Sequence, residues 1–166
     1  MENSLMEVDM KYKLVKLTPK HDQLVINLVK STMGKEVGEH CVQAFEDVSA
    51  CDKRSLWGAF NEGYELVGCC GIYDGFYDKK KCYISWFSVD EKLQRSGLGT
   101  QMMDHITKLA LDEGFNWMYV ETYDNEQFRK ANNFYRKCGF SNAGSILGYL
   151  EDGSDAMYYR KRIRDV

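Results

Sequence analysis

Apolar and polar residues alternate over residues 11–18, which predicts a strand. Thr18-Pro19 then opens a helix, because threonine can cap and proline fits the first helical position. Leu24, Leu28 and Val29 supply the apolar stripe of that helix, and residues 37–48 read as a second amphipathic helix. Strand-like runs over 55–60 and 64–73 flank the turn Asn61-Glu62-Gly63, a hairpin signature. Asp74-Gly75 marks the next turn, and 80–89 is another strand.

The pattern then changes period. Leu98, Met102, Ile106, Leu109 and Ala110 recur at helical spacing, which predicts a helix over 97–113 stopped by Gly114. A strand over 116–122, a helix over 127–138 ending at Gly139, and strands over 140–147 and 156–163 follow. The reading is α/β, with a mixed sheet of about seven strands and four helices. No Gly/Ser-rich linker, repeat or low-complexity tract divides the 166 residues, so one domain over 1–166 is expected.

Composition narrows the function without naming it. The net charge of -3 does not suggest a nucleic-acid binder. The basic run 160–164 reads as solvated edge charge at the end of a strand. No apolar run approaches the roughly 20 residues that span a bilayer. Residues 1–13 lack the continuous apolar stretch of a secretory signal, so a soluble, cytoplasmic protein is expected. Six cysteines, at 41, 51, 69, 70, 82 and 138, show no Cys-x-x-Cys spacing and no ligand spacing with His21, His40 or His105. They read as buried, reduced thiols, with no metal implied.

The candidate chemistry starts where the strand over 80–89 meets the following helix. Val89-Asp90-Glu91-Lys92-Leu93-Gln94-Arg95-Ser96-Gly97-Leu98-Gly99-Thr100 puts two glycines at a helix start. A helix N-terminus carries unpaired amides and partial positive charge, and glycine lets a ligand reach that backbone. Gln94, Arg95, Ser96, Gly97, Leu98, Gly99 and Thr100 therefore form a candidate phosphate cradle, with Arg95 adding charge at its edge. Taken alone, the pattern is also compatible with a loop that merely turns the chain. It is not a dinucleotide fingerprint, because Met102 stands where the third glycine would, and it has no Gly-Lys-Ser/Thr loop.

A second segment, Phe134-Tyr135-Arg136-Lys137-Cys138-Gly139-Phe140, supplies the context. Gln94-x-x-Gly97-x-Gly99 followed by Phe134-Tyr135-x-x-x-Gly139-Phe140 resembles the two acyl-CoA signatures of the GNAT N-acetyltransferase superfamily. Val120-Glu121-Thr122 with Phe128 resembles a subgroup of that family. The resemblance implies a mostly antiparallel mixed sheet with splayed central strands. It implies acetyl-CoA as acyl donor, with Phe87, Ser88 and Val89 pairing the pantetheine arm and residues 94–100 holding the pyrophosphate. A backbone amide at or near Val89 would polarise the thioester carbonyl. Tyr135 would be the general acid that protonates the thiolate of coenzyme A. Phe128 stands where the family often has an asparagine, and Asn133 or Asn125 is the expected substitute.

The base and the acceptor are less constrained. Glu121, acting through water, is the first candidate base, and the rival reading is a strand-end carboxylate that orders the next loop. Asp124 is a poorer candidate. Trp86, Tyr73, Phe76 and Tyr77 are candidate lining for an amine acceptor, and an exposed aromatic loop would also suit a homodimer contact. The expected activity is direct attack of a primary amine on acetyl-CoA in a ternary complex, with a small-molecule amine preferred over a protein amine. Two alternatives stay open: a non-catalytic acyl-CoA-binding or sensing module, and an ordinary nucleotide-phosphate binder.

Overall fold

The computed structural model describes residues 11–35, 37, 55–75, 78 and 80–164. Strand β1 (Lys13–Lys16) leads through a 3-10 turn, Pro19–His21, into helix α1 (Asp22–Met33). The Thr18 amide donates to His21 Nδ1 at 3.0 Å, which closes that entry. A meander follows: β2 (Ser55–Phe60), β3 (Leu66–Asp74) and β4 (Lys81–Val89). Helix α2 (Leu98–Asp112), β5 (Trp117–Tyr123), α3 (Arg129–Lys137), β6 (Ser141–Ile146) and β7 (Ala156–Arg162) complete the chain. The described residues thus hold three α-helices, not the four expected. The expected helix over 37–48 lies, apart from Val37, outside the described residues, as do Cys41, Cys51, His40, Phe76 and Tyr77. No described helix is long and apolar enough to cross a membrane.

The seven strands form one sheet in the order β1-β2-β3-β4-β5-β7-β6. Every pairing is antiparallel except β4 with β5. Helices cover both faces of the centre, so β3 reads as a nearly continuous buried run rather than an alternating one. One face packs Val25, Leu28, Val29, Leu56 and Cys69 beneath α1. The other packs Cys70, Ile72, Met118 and Val120 against Leu98, Met102 and Ile106 of α2 and Tyr135 of α3.

Two expectations are corrected. Leu24 is 43% exposed, and the buried stripe of α1 is Val25, Ile26, Leu28 and Val29. The basic run does not end an edge strand, because β6 lies outside β7. Arg160 and Arg162 instead lie over the Trp117 ring, at 5.1 and 5.8 Å from its centroid.

Candidate active site

The site begins with two departures from regular pairing on β4. Parallel pairing with β5 covers only Lys81 to Tyr83 against Trp117 to Tyr119. Beyond that point the strands part, leaving one edge of β4 facing a gap. On the other edge, Cys69 pairs with Ser88 and Gly71 with Ser85, so Trp86 and Phe87 together oppose Cys70. This is a β-bulge, and Trp86 takes a positive φ of 51° within it. Asp90 donates its amide to Val67 O at 2.9 Å on β3. Amides alternate in direction along a strand, so the Val89 amide faces the gap instead.

The chain then turns into α2. Asp90 Oδ1 accepts from the Lys92 amide at 2.9 Å, and Gln94 Nε2 donates to Val89 O at 3.4 Å. Ser96 Oγ donates to Leu93 O at 2.6 Å. Arg95 and Gly97 take positive φ values of 65° and 93°. The N-cap Gly97 has no side chain to cap α2; the Leu98 amide donates to Ser96 Oγ at 3.4 Å, and the next amides, of Gly99 and Thr100, can receive an anion. Residues 94–97 and Thr100 are exposed.

The two sequence motifs meet in space. A Cβ on Gly99 would lie 3.3 Å from the Phe134 ring, so this glycine admits Phe134 to the first turn of α2. Phe87 stacks at a tilt on Phe134, 5.2 Å between centroids, and lies edge-on to Tyr135 at 6.3 Å. Tyr135 is 5% exposed. Burial raises its phenol well above the ordinary range, with further contributions from Cys70 and Cys138. It is therefore a neutral hydroxyl at neutral pH. Cys69, Cys70 and Cys82 are buried and Cys138 is half-buried; the Cys69 thiol donates to Trp86 O at 3.1 Å and the Cys82 thiol to Trp117 O at 3.6 Å.

Glu121 lies on the opposite face of β5 from Val120 and Thr122, in the α1 half of the fold, and is exposed. It accepts a hydrogen bond from Tyr123 at 3.1 Å, and Tyr158, whose phenol is pushed up to about 12 by burial first and Glu121 second, is its cross-strand neighbour on β7. Among the described residues no basic side chain pairs with it. The remaining expected residues are placed as follows. Trp86 packs into the α1-side core, and Tyr73 stacks on Tyr83 at 5.3 Å. Asn133 is exposed and accepts from Arg136 at 3.2 Å. Asn125 caps the turn after β5 by accepting from the Phe128 amide at 3.2 Å. Phe128 packs edge-on against Tyr123, at 5.1 Å.

Sequence reasoning did not single out Asn132. It is 6% exposed, and its Nδ2 donates to Tyr123 O at 3.0 Å, tying α3 to the end of β5. Nor did it single out Tyr123, Tyr149 or Tyr158. Period-two spacing on β5 already set Tyr119, Glu121 and Tyr123 on one face, and that was the available signal.

A splayed parallel pair thus leads from an open strand edge to a glycine-opened helix start that can receive an anion. A family model described as "Acetyltransferase (GNAT) family" matches residues 23–140, and the chain belongs to that family. It is an N-acyltransferase, and its acyl donor is acetyl-CoA. The uncharacterized N-acetyltransferase YsnE of Bacillus subtilis is 26% identical over 107 residues, 64% of this chain and 69% of YsnE. Two solved structures share the fold. A structure assigned to the GNAT family from Desulfovibrio desulfuricans has a TM-score of 0.83 at 18% identity, over 92% of this chain and 99% of that one. An aminoglycoside 6'-N-acetyltransferase complexed with coenzyme A has a TM-score of 0.77 at 16% identity, over 93% of this chain and 98% of that one.

Proposed function

We propose that this enzyme acetylates a primary amine, a small molecule rather than a protein, by direct attack within a ternary complex. The observation that carries this reading is the buried Tyr135 lying edge-on to Phe87, on the stretch of β4 that β5 leaves unpaired. Phe87, Ser88 and Val89 pair the pantetheine arm along the edge of β4 that β5 leaves open. Arg95, the N-cap Gly97 and the Gly99 and Thr100 amides at the start of α2 hold the pyrophosphate. Gln94 and Ser96 brace that turn through their bonds to Val89 O and Leu93 O. Asn133, exposed on α3, remains the expected cofactor contact in place of the family asparagine.

The amine nitrogen attacks the thioester carbon, whose oxygen receives the Val89 amide as charge develops. The C–N bond forms, the C–S bond breaks, and Tyr135 gives its proton to the departing thiolate. One proton of the incoming ammonium leaves through water to Glu121 before attack, and the second, lost from the attacked nitrogen as the tetrahedral intermediate collapses, returns through water to Tyr135. The alternative role for Glu121, ordering the loop after β5, has less support. That loop is held by Asn125 and by the bond from the Asp124 amide to Asp155 O at 2.9 Å.

Tyr135→Phe tests the assignment. Removal of a general acid costs typically about 10²–10⁴ in turnover. Thiol release is expected to fall by that order, with acetyl-CoA affinity by calorimetry within about twofold of the parent. Turnover that is unchanged across pH removes Tyr135 from the mechanism. Binding of acetyl-CoA without thiol release on any amine would favour a sensing module instead.

A further inference from the structure

The two edges of the sheet carry different side chains. Strand β1, at one edge, exposes Lys13 and Lys16, charges that keep a further strand away. Strand β6, at the other edge, has no such guard: residues 141–150 hold no Asp, Glu, Lys or Arg. All six residues of β6 are exposed, and among the described residues no strand lies beyond it. Five large apolar side chains are exposed among the described residues, and three of them, Ile146, Leu147 and Tyr149, stand at the end of this strand. Apolar residues scattered singly over a surface need no partner, but three within four positions form a patch that does.

Charge around this neutral edge is sorted by end. Past Ile146 the loop to β7 carries Glu151, Asp152 and Asp155. Asp152 Oδ1 accepts from the Ser154 amide and Asp155 Oδ1 from the Gly148 amide, both at 2.9 Å. The Ser141 end is basic instead. Lys137 closes α3 just before it, and Arg160 is the cross-strand partner of Ser141. Lys161 lies alongside, its Cε 3.7 Å from where a Cβ on Gly139 would stand. Among the described residues neither group of charges forms an ion pair.

We infer that the β6 edge is an interface for a second copy of this chain, docked antiparallel about a two-fold axis perpendicular to the sheet. Such an axis reverses the strand, so the acidic end of each copy meets the basic end of the other. The neutral middle sets no like charges against each other, and opposite charges meet at both ends. A bulge at Ala143, where the Gly144 amide turns to Asn142 Oδ1 at 2.8 Å, interrupts the start of the strand. Pairing is therefore expected over Gly144–Ile146, with Leu147 and Tyr149 covered where the strand ends. The inference concerns assembly and does not depend on the chemistry proposed above.

Sedimentation and light scattering of the full chain are expected to show a dimer at micromolar concentration. Its dissociation should grow with added salt, because the paired charges lie at the surface. Reversing the acidic end (Glu151→Lys with Asp152→Lys) or the basic end (Lys137→Glu with Lys161→Glu) is expected to weaken the dimer by about tenfold, since two symmetric contacts turn repulsive. All four substitutions together restore opposite signs and should return dissociation to within about twofold of the parent. Leu147→Glu puts a charge into the apolar patch and should leave a monomer, with circular dichroism as the check on folding. A parent chain that stays monomeric at every concentration overturns the interface. So does a dimer indifferent to Leu147→Glu, or one whose loss on reversing one end is not recovered by reversing both.

Discussion

Gly97 and Gly99 stand two residues apart and answer different demands. Gly97 needs a left-handed backbone, φ 93°, with nothing within 4 Å of where a Cβ would be. Gly99 needs space, because Phe134 occupies it. Both belong to one sequence motif, yet only Gly97 stands at the N-cap of α2. Gly99→Ala is expected to destabilise the fold by pressing on Phe134, and Phe134→Leu in the same chain to recover part of the loss. A double-mutant cycle in urea should read a coupling of about 0.5–3 kcal/mol, the range for side chains in contact. Additivity would mean that Phe134 does not rest on Gly99. Tyr135 shows the same principle in the electrostatic sense: the burial of a core tyrosine also raises its phenol and keeps it protonated, as the proposed general acid requires.

Between elements, the decisive feature is where β4 and β5 stop pairing. Three parallel pairs hold them, and the bulge at Trp86 follows immediately on β4. Gln127 Nε2 donates to Met33 O, joining the turn before α3 to the end of α1. The β5–β7 pair carries a pH signature as well. Burial first, and Glu121 second, raise Tyr123 and Tyr158 from 10.0 to about 12. Their folded values exceed their unfolded ones, so the native state holds more protons in this range. The stability they contribute is fully present below pH 10 and is lost as pH rises toward about 12. The urea midpoint should fall over that window, and less steeply in Tyr123→Phe. Ultraviolet titration of tyrosinate should show the late-titrating pair, and ordinary titration of both would remove the effect.

At the scale of the whole molecule, donor binding and stability are linked. A ligand that binds only the folded state at 100 times its Kd adds about 2.7 kcal/mol. For a chain of this size each kcal/mol moves Tm by about 2–4 °C, so saturating acetyl-CoA should raise Tm by about 5–11 °C. Free adenosine triphosphate at the same concentration is expected to raise it far less, since it has no pantetheine arm to pair with β4. Equal shifts would point to a phosphate binder without acyl-donor specificity.

The order of elements, the turn from 94 to 100 and the Phe134-Tyr135 segment were legible in the sequence alone, because each is a local pattern. Strand alternation, helical spacing and glycine at a helix start depend on neighbours within a few residues. Together they determined the family and the acyl donor. The extent of the splay, the bulge opposite Cys70 and the tyrosines around Glu121 were decided only in three dimensions. Tyr158 reaches Glu121 through the register of β7 on β5, and Tyr149 arrives from a loop, 28 positions along the chain. Register between distant strands is set by which faces bury together, not by either strand's own pattern. The glycine turn into α2 could therefore be read from residues in a row, whereas the surroundings of Glu121 had to be assembled.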